Sequence, residues 1–221
     1  GMKNVKVYVK THEMDTYAKQ IGEEYVFEVP EDCMGLGAIK RFLVNEHRNE
    51  DWFVILNDDV IGITYMFEDK FVEILDPDHF RAILYNSYQV ASDLGTPLFG
   101  YEATMNPNSY NQMDMFSFGA NLPSCHGIIP SLLGDINFDP RLIAMNDYDV
   151  ALQCKYYKRF MFIDKRYNIR RSKKWFNKGM SSTLGTKPLL QDMSKILMTK
   201  YGSSVVKPNP KKIQYDILFP F

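Results

Sequence analysis

The chain has 221 residues, 45% hydrophobic and 24% charged, the balance of a globular protein with one sizeable α/β domain or two small ones. No apolar run approaches the roughly 20 residues of a membrane helix, which predicts no membrane contact. The formal net charge of −1 hides a split: residues 1–150 hold 10 Lys/Arg against 24 Asp/Glu, and residues 151–221 hold 16 against 3. Such a split points to polyanion binding by the basic half, or to two halves that neutralise each other.

In chain order, Val5 to Val9 alternates as a first strand ending at Lys10-Thr11-His12, and residues 13–22 read as a short helix. Tyr25 to Val29 reads as a second strand stopped by Pro30. A loop with Gly35 and Gly37 leads into a helix from Ala38 to His47, with Ile39, Phe42 and Leu43 on one face. Trp52 to Asn57 reads as a buried strand, which completes a β-loop-helix-β unit and predicts a parallel sheet. Residues 60–75 read as strands or as an insertion over the site. Asp76-Pro77 predicts a helix start for a helix to about residue 93, before Gly95. Residues 97–102 follow as a strand, 104–126 as an irregular segment and 131–140 as turns. Asn146 or Asp147 reads as the N-cap of a helix over 150–157. Phe160 to Asp164 reads as a late strand, and the basic 165–187 stretch as a mobile loop. Pro188 to Tyr201 is an amphipathic helix closed by Gly202, and 206–221 is a C-terminal arm.

Asn57-Asp58-Asp59 is the chemical focus. Two adjacent carboxylates at a buried strand end repel each other and resist ionisation. A hard divalent cation would relieve both costs, since it prefers oxygen ligands. The alternative is a polar turn built from good turn formers. The cysteines, Cys33, Cys125 and Cys154, are far apart and odd in number, so they form neither a disulfide framework nor a zinc pattern. A reducing, cytoplasmic setting is expected. Gly1 ahead of Met2 reads as a scar of tag removal, with no secretory segment behind it.

The acidic strand end, the preceding Gly35-Leu36-Gly37-Ala38-Ile39-Lys40-Arg41, and Phe138-Asp139 followed by Asn146-Asp147-Tyr148-Asp149-Val150-Ala151-Leu152 together resemble glycosyltransferases of the GT-A fold. Among these the chain looks most like the small TET-associated transferases that act on modified DNA bases. The departures are Asn57 and Asn146, each where an acid is usual. The resemblance implies a single α/β domain over residues 2–205, with a mixed, mainly parallel central sheet flanked by helices. Residues 2–100 would be the nucleotide-binding half and 101–205 the acceptor half.

It also implies a sugar nucleotide as donor and Mn²⁺ or Mg²⁺ as cofactor. Asp59, Asp58 and Asn57 would hold the metal. Thr11, Lys40, Arg41, Asp58, Arg170 and Arg171 would bind the donor. Asp147 would be the base that takes the acceptor proton. The glycine-started helix would offer its N-terminus to phosphate, and Arg170, Arg171, Lys173 and Lys174 would close as a cationic lid. Cations interleaved with aromatics over 155–178 suit a nucleic-acid backbone with exposed bases, which makes DNA a candidate acceptor. Two other readings share these features: a nucleic-acid-binding module with a decayed transferase fold, and a nucleotidyltransferase.

Overall fold

Short apolar strands alternate with helices in the first half of the chain, and β3 to β6 enter one mixed sheet. The computed structural model describes residues 4–68, 70–102, 115–117, 121–172, 187–207 and 216–217. In chain order these are β1 (Val7–Val9), α1 (Met14–Ile21), β2 (Val26–Glu28), α2 (Gly35–Glu46), β3 (Phe53–Leu56), β4 (Val60–Phe67), β5 (Lys70–Glu73), α3 (Pro77–Asp93) and β6 (Leu98–Glu102). Then follow β7 (Phe116–Ser117), β8 (Cys125–Ile128), α4 (Pro130–Leu133), α5 (Asn146–Lys158), β9 (Phe162–Arg171), α6 (Lys187–Tyr201), β10 (Val206–Lys207) and β11 (Asp216–Ile217).

The main sheet has the order β3-β8-β6-β9-β4-β5, with β7 beside β9. It is mixed, flanked by helices, and draws on both halves of the chain. It is not mainly parallel: among the described residues only β1–β2 and β6–β9 pair in parallel. The β-loop-helix-β reading fails for the same reason, because among the described residues β2 pairs with β1 alone while β3 lies antiparallel to β8. The β1–β2 pair is joined to the rest through rings. Tyr8 meets Phe42 of α2 and hydrogen-bonds His47 at 2.9 Å, and His47 packs on Phe53 of β3.

Strand alternation sorts the sheet into two faces. On one, Ile63, Tyr101, Cys125 and Ile169 bury Ile83 of α3, and Phe99 and Phe162 bury Ala91. On the other, Ile55, Leu98 and Ile128 pack against Val150, Ala151 and Cys154 of α5. Asp76 caps α3 as expected, accepting from the Asp78 amide at 3.0 Å, with Pro77 in the first turn. Helix α6 lies outside, where Met193 and Leu197 cover Leu142 and Met145. Gly202, at φ +81°, ends it in the left-handed conformation that glycine adopts without a Cβ clash.

Three expectations are corrected. Within the expected irregular stretch, residues 125–126 belong to the interior strand β8; residues 103–114 and 118–120 lie outside the described residues. Strand β9 runs on to Arg171, so residues 165–171 are ladder and not loop. Finally, neither Asn146 nor Asp147 is the cap of α5; both are inside the helix, and Met145 precedes it.

Candidate active site

The start of α2 is set by close backbone approach. A Cβ on Gly37 would lie 2.3 Å from the Asp139 carbonyl oxygen and 2.6 Å from that of Leu142, so only glycine lets the helix sit on this loop. The Leu36 and Gly37 amides donate to the carbonyls of Ile143 and Leu142 at 3.2 and 3.1 Å. Two of the helix's unpaired N–H groups are thereby consumed, and the expected phosphate cradle is replaced by a packing contact.

One turn on, Lys40 and Arg41 diverge. Arg41 is exposed, whereas Lys40 is 5% exposed, with its ammonium 5.7 Å from the centre of the Phe138 ring. Burial lowers the Lys40 pKa to about 8, against the pull of Asp147. Among the described residues its Nζ has no hydrogen bond and no ion pair within 4 Å.

Asp147 enters from α5. Met145, at φ +61°, is held in the left-handed region by packing in the α6 cluster, an unusual backbone for a non-glycine residue. The helix that follows carries Asn146, Asp147 and Asp149 in its first turn, and the two acids part company. Asp149 is fully buried and accepts from Lys200 Nζ at 2.7 Å, from Gln153 Nε2 at 2.9 Å and from the Tyr201 hydroxyl. It fastens α5 to α6. Asp147 is half-buried; desolvation raises its pKa, while Lys40 and the amides at the helix start oppose that rise. Asp139, the other acid of the motif, holds Arg141 through two side-chain bonds of 3.0 and 2.6 Å.

His126 joins this group from β8, paired across to Ile55 of β3. It is fully buried, and its Nδ1 lies 2.7 Å from the Pro123 carbonyl, which makes Nδ1 the protonated nitrogen. Burial first, and Lys40 second, push its pKa well below the ordinary histidine value, so the ring is neutral. Its Nε2 is left as an acceptor with no partner among the described residues.

Asn57-Asp58-Asp59 is a turn that is tied down on both sides. The Asn57 amide donates to Ser124 at 3.0 Å, Val60 donates back to Asn57 at 3.1 Å, and Ser172 donates to the Asp59 carbonyl at 2.8 Å. By alternation Asn57 follows Ile55 to the α5 face. Asp58 is exposed. Asp59 is half-buried, with Oδ1 lacking a partner among the described residues; desolvation raises its pKa, Arg171 counters the rise, and Asp58 adds to it.

Among the described residues no three His, Cys, Asp or Glu groups converge as a metal cage. The orphaned Asp59 oxygen beside Asp58 fits a hard divalent ion of the kind held by one or two carboxylates and completed by phosphate oxygens and water.

The remaining candidates are dispersed. Thr11, exposed at the end of β1, donates to Glu28 at 2.6 Å. Arg170 is paired with Glu73 at 2.7 Å, and Arg171 stands beside Asp59; both are strand residues and not a lid. Lys173, Lys174 and the rest of the 173–186 stretch lie outside the described residues. At the far end of α5, Tyr156 and Tyr157 are 73% and 50% exposed among Lys155, Lys158 and Arg159. An apolar groove lined by Leu56, Val60, Ile74 and Phe80 opens on the opposite, α3 side and holds none of these polar groups. No family model, curated protein or solved structure matches the chain.

Proposed function

We propose that the protein is a metal-dependent glycosyltransferase of GT-A-like fold, moving a sugar from a nucleoside diphosphate to a hydroxyl acceptor. The observation that carries the reading is the electrostatic coupling of half-buried Asp147 to buried Lys40, on the sheet face to which the Asn57-Asp58-Asp59 turn delivers Asn57. Asp59 and Asp58 would hold Mn²⁺ or Mg²⁺, which when bound offsets charge on the leaving diphosphate. Asp147 accepts the proton of the acceptor hydroxyl. Burial disfavours the ionised carboxylate there, and Lys40 opposes that by favouring it. The cation-flanked Tyr156–Tyr157 pair supports a nucleic-acid acceptor such as a hydroxymethylated base in DNA, through backbone contacts and stacking.

The test is a thermal-shift panel of nucleoside diphosphates and their sugar esters with Mn²⁺, read alongside turnover. The expected result is stabilisation of the wild type, loss of that stabilisation in Asp59→Ala, and retained binding with at least ~100-fold slower turnover in Asp147→Asn. Full activity in Asp147→Asn would exclude Asp147 as the base. A second reading, a nucleic-acid-binding module with a decayed transferase fold, is favoured by the lack of a third acidic or histidine ligand among the described residues. Strongly salt-dependent DNA binding with no nucleotide-induced stabilisation is its signature.

A further inference from the structure

The sheet face turned toward α3 carries a concavity that the proposed chemistry does not use. It lies between the first turn of α3 and the ends of β3 and β4, with a volume of about 320 Å³. That is within the size range of small-molecule sites. Val60, Ile63 and Ile169 of the strands line it from below, and Ile74 and Phe80 from the side of α3.

A bulge makes this surface. Val60 pairs with Arg171 and Gly62 with Arg170, so Ile61 is an extra residue in β4. In a regular strand Val60 and Ile63 would point to opposite faces. With the extra residue, both join the α3 cluster beside Ile169. Leu56 reaches the same groove because its neighbour Ile55 packs on the α5 face. The Asn57-Asp58-Asp59 turn joins Leu56 to Val60, so its acids adjoin the groove. Leu56 and Leu75, 49% and 82% exposed, carry the apolar surface out to the mouth.

Among the described residues one side chain in the lining is polar, Asp76. Its Oδ1 accepts from the Asp78 amide at 3.0 Å, and the carboxylate makes no ion pair among the described residues. The arginines nearby are already matched. Arg81 meets Asp78 at 2.6 Å, Arg170 meets Glu73 at 2.7 Å, and Arg171 lies beside Asp59. Asp58, exposed in the adjoining turn, has no ion pair among the described residues either. The groove is therefore apolar inside and negative at its edge. It repels anions and complements a molecule with an apolar body and one cationic group.

We propose that this groove binds small amphiphilic amines, seating an aliphatic or aromatic group on Val60, Ile63, Ile74 and Phe80 with the ammonium beside Asp76. The space equals about ten waters at about 30 Å³ each, room for a group of about six to eight carbons. The site lies on the sheet face opposite Asp147 and Lys40 and does not rest on the transferase reading.

The experiment titrates the chain with butylamine, hexylamine, octylamine and hexanoate at neutral pH and low salt, without metal or nucleotide. Methyl NMR is the readout. Saturable shifts are expected at Val60, Ile63 and Ile74, with affinity rising about 2- to 4-fold per added CH₂. Hexylamine should bind roughly 5- to 10-fold tighter than hexanoate, since one meets an opposite charge and the other a like charge at an exposed carboxylate. Asn caps a helix as well as Asp does, so Asp76→Asn keeps α3 intact and should cut that margin to under about 2-fold. Leu56→Trp, with a ring over the groove, should weaken the whole amine series at least ~5-fold. Should that variant fail to fold, Leu75→Trp at the exposed mouth gives the same occlusion.

Shifts that never saturate, or that map away from the groove, would overturn the inference. So would hexanoate binding as tightly as hexylamine, or an amine preference that survives Asp76→Asn. Because no nucleotide, metal or acceptor enters the assay, none of these results touches the transferase reading.

Discussion

Lys40→Met should make the protein more stable at neutral pH. The ammonium is 5% exposed, and its pKa falls from the ordinary 10.5 to about 8. Keeping it charged at pH 7 therefore costs the fold about 3 kcal/mol. Methionine has similar length and no charge, so it recovers that energy. The pull of Asp147 is already contained in that value, so what stands against the gain is the lost contact with the Phe138 ring, on the order of 1 kcal/mol. The expected net gain is about 2 kcal/mol. The pH dependence identifies the cause. Because the folded pKa is depressed, the unfolded chain binds more protons between pH 8 and 10.5, and wild-type stability rises across that window. The variant has no such group, so its advantage is greatest near pH 7 and shrinks toward pH 10. Urea titrations at pH 6.5, 8 and 9.5 measure this difference directly. A variant less stable than wild type at pH 7, or a gap that does not narrow with pH, would show that Lys40 is well solvated or paired, and the argument for a strained site would collapse.

Gly37→Ala should destabilise the protein by about 1–3 kcal/mol, because its Cβ would meet two backbone carbonyls that cannot move independently; equilibrium denaturation reads the loss, and an unchanged midpoint would mean that the 139–142 loop yields freely. Asp149→Asn should cost about 3 kcal/mol and loosen α6, since it leaves Lys200 without its buried partner; hydrogen exchange of the α6 amides is the check. Asp59→Ala, without ligand, should remove a fall in stability that the wild type shows as pH rises above 3.8. A folded pKa raised over the unfolded one makes the native state bind more protons in that window; parallel pH titrations of stability test it.

The legible parts of this chain were those with local signals. Asp76-Pro77 fixes the start of α3 through a side-chain cap and a ring that needs no donor, and Gly202 fixes the end of α6. What stayed hidden was long-range pairing. Strand β8 reads Cys125-His126-Gly127-Ile128, with a polar ring and a glycine at its centre, so no apolar run announces it. Its sense lies on the neighbouring strand: the Phe99 ring fills the space that a Cβ on Gly127 would occupy. The antiparallel β3–β8 ladder joins segments about seventy residues apart, and nothing near residue 53 or 125 encodes that. The buried Asn168 gave no sequence signal either, because it stands just past a β9 irregularity set by pairing with the distant β6.

The same physics weighs on the choice between an enzyme and a decayed module. Sequence singled out Asp147 in a motif that also holds Asp149; Asp149 is satisfied three times over, whereas Asp147 lies in the field of a lysine that no hydrogen bond holds among the described residues. A scaffold that only displays a basic surface has no use for a desolvated lysine, a neutral buried histidine, and an Asp59 oxygen and Asn168 amide that lack partners among the described residues. Apolar replacements at Lys40, His126 and Asn168 would make such a scaffold more stable. These costs gather in strands β8 and β9 and the helices α2 and α5 that frame one face of the sheet, and the Asn57-Asp58-Asp59 turn sends Asn57 to the same face. Concentrated local cost of this kind is what a site shaped around an absent polar ligand produces, and it favours the transferase over the module.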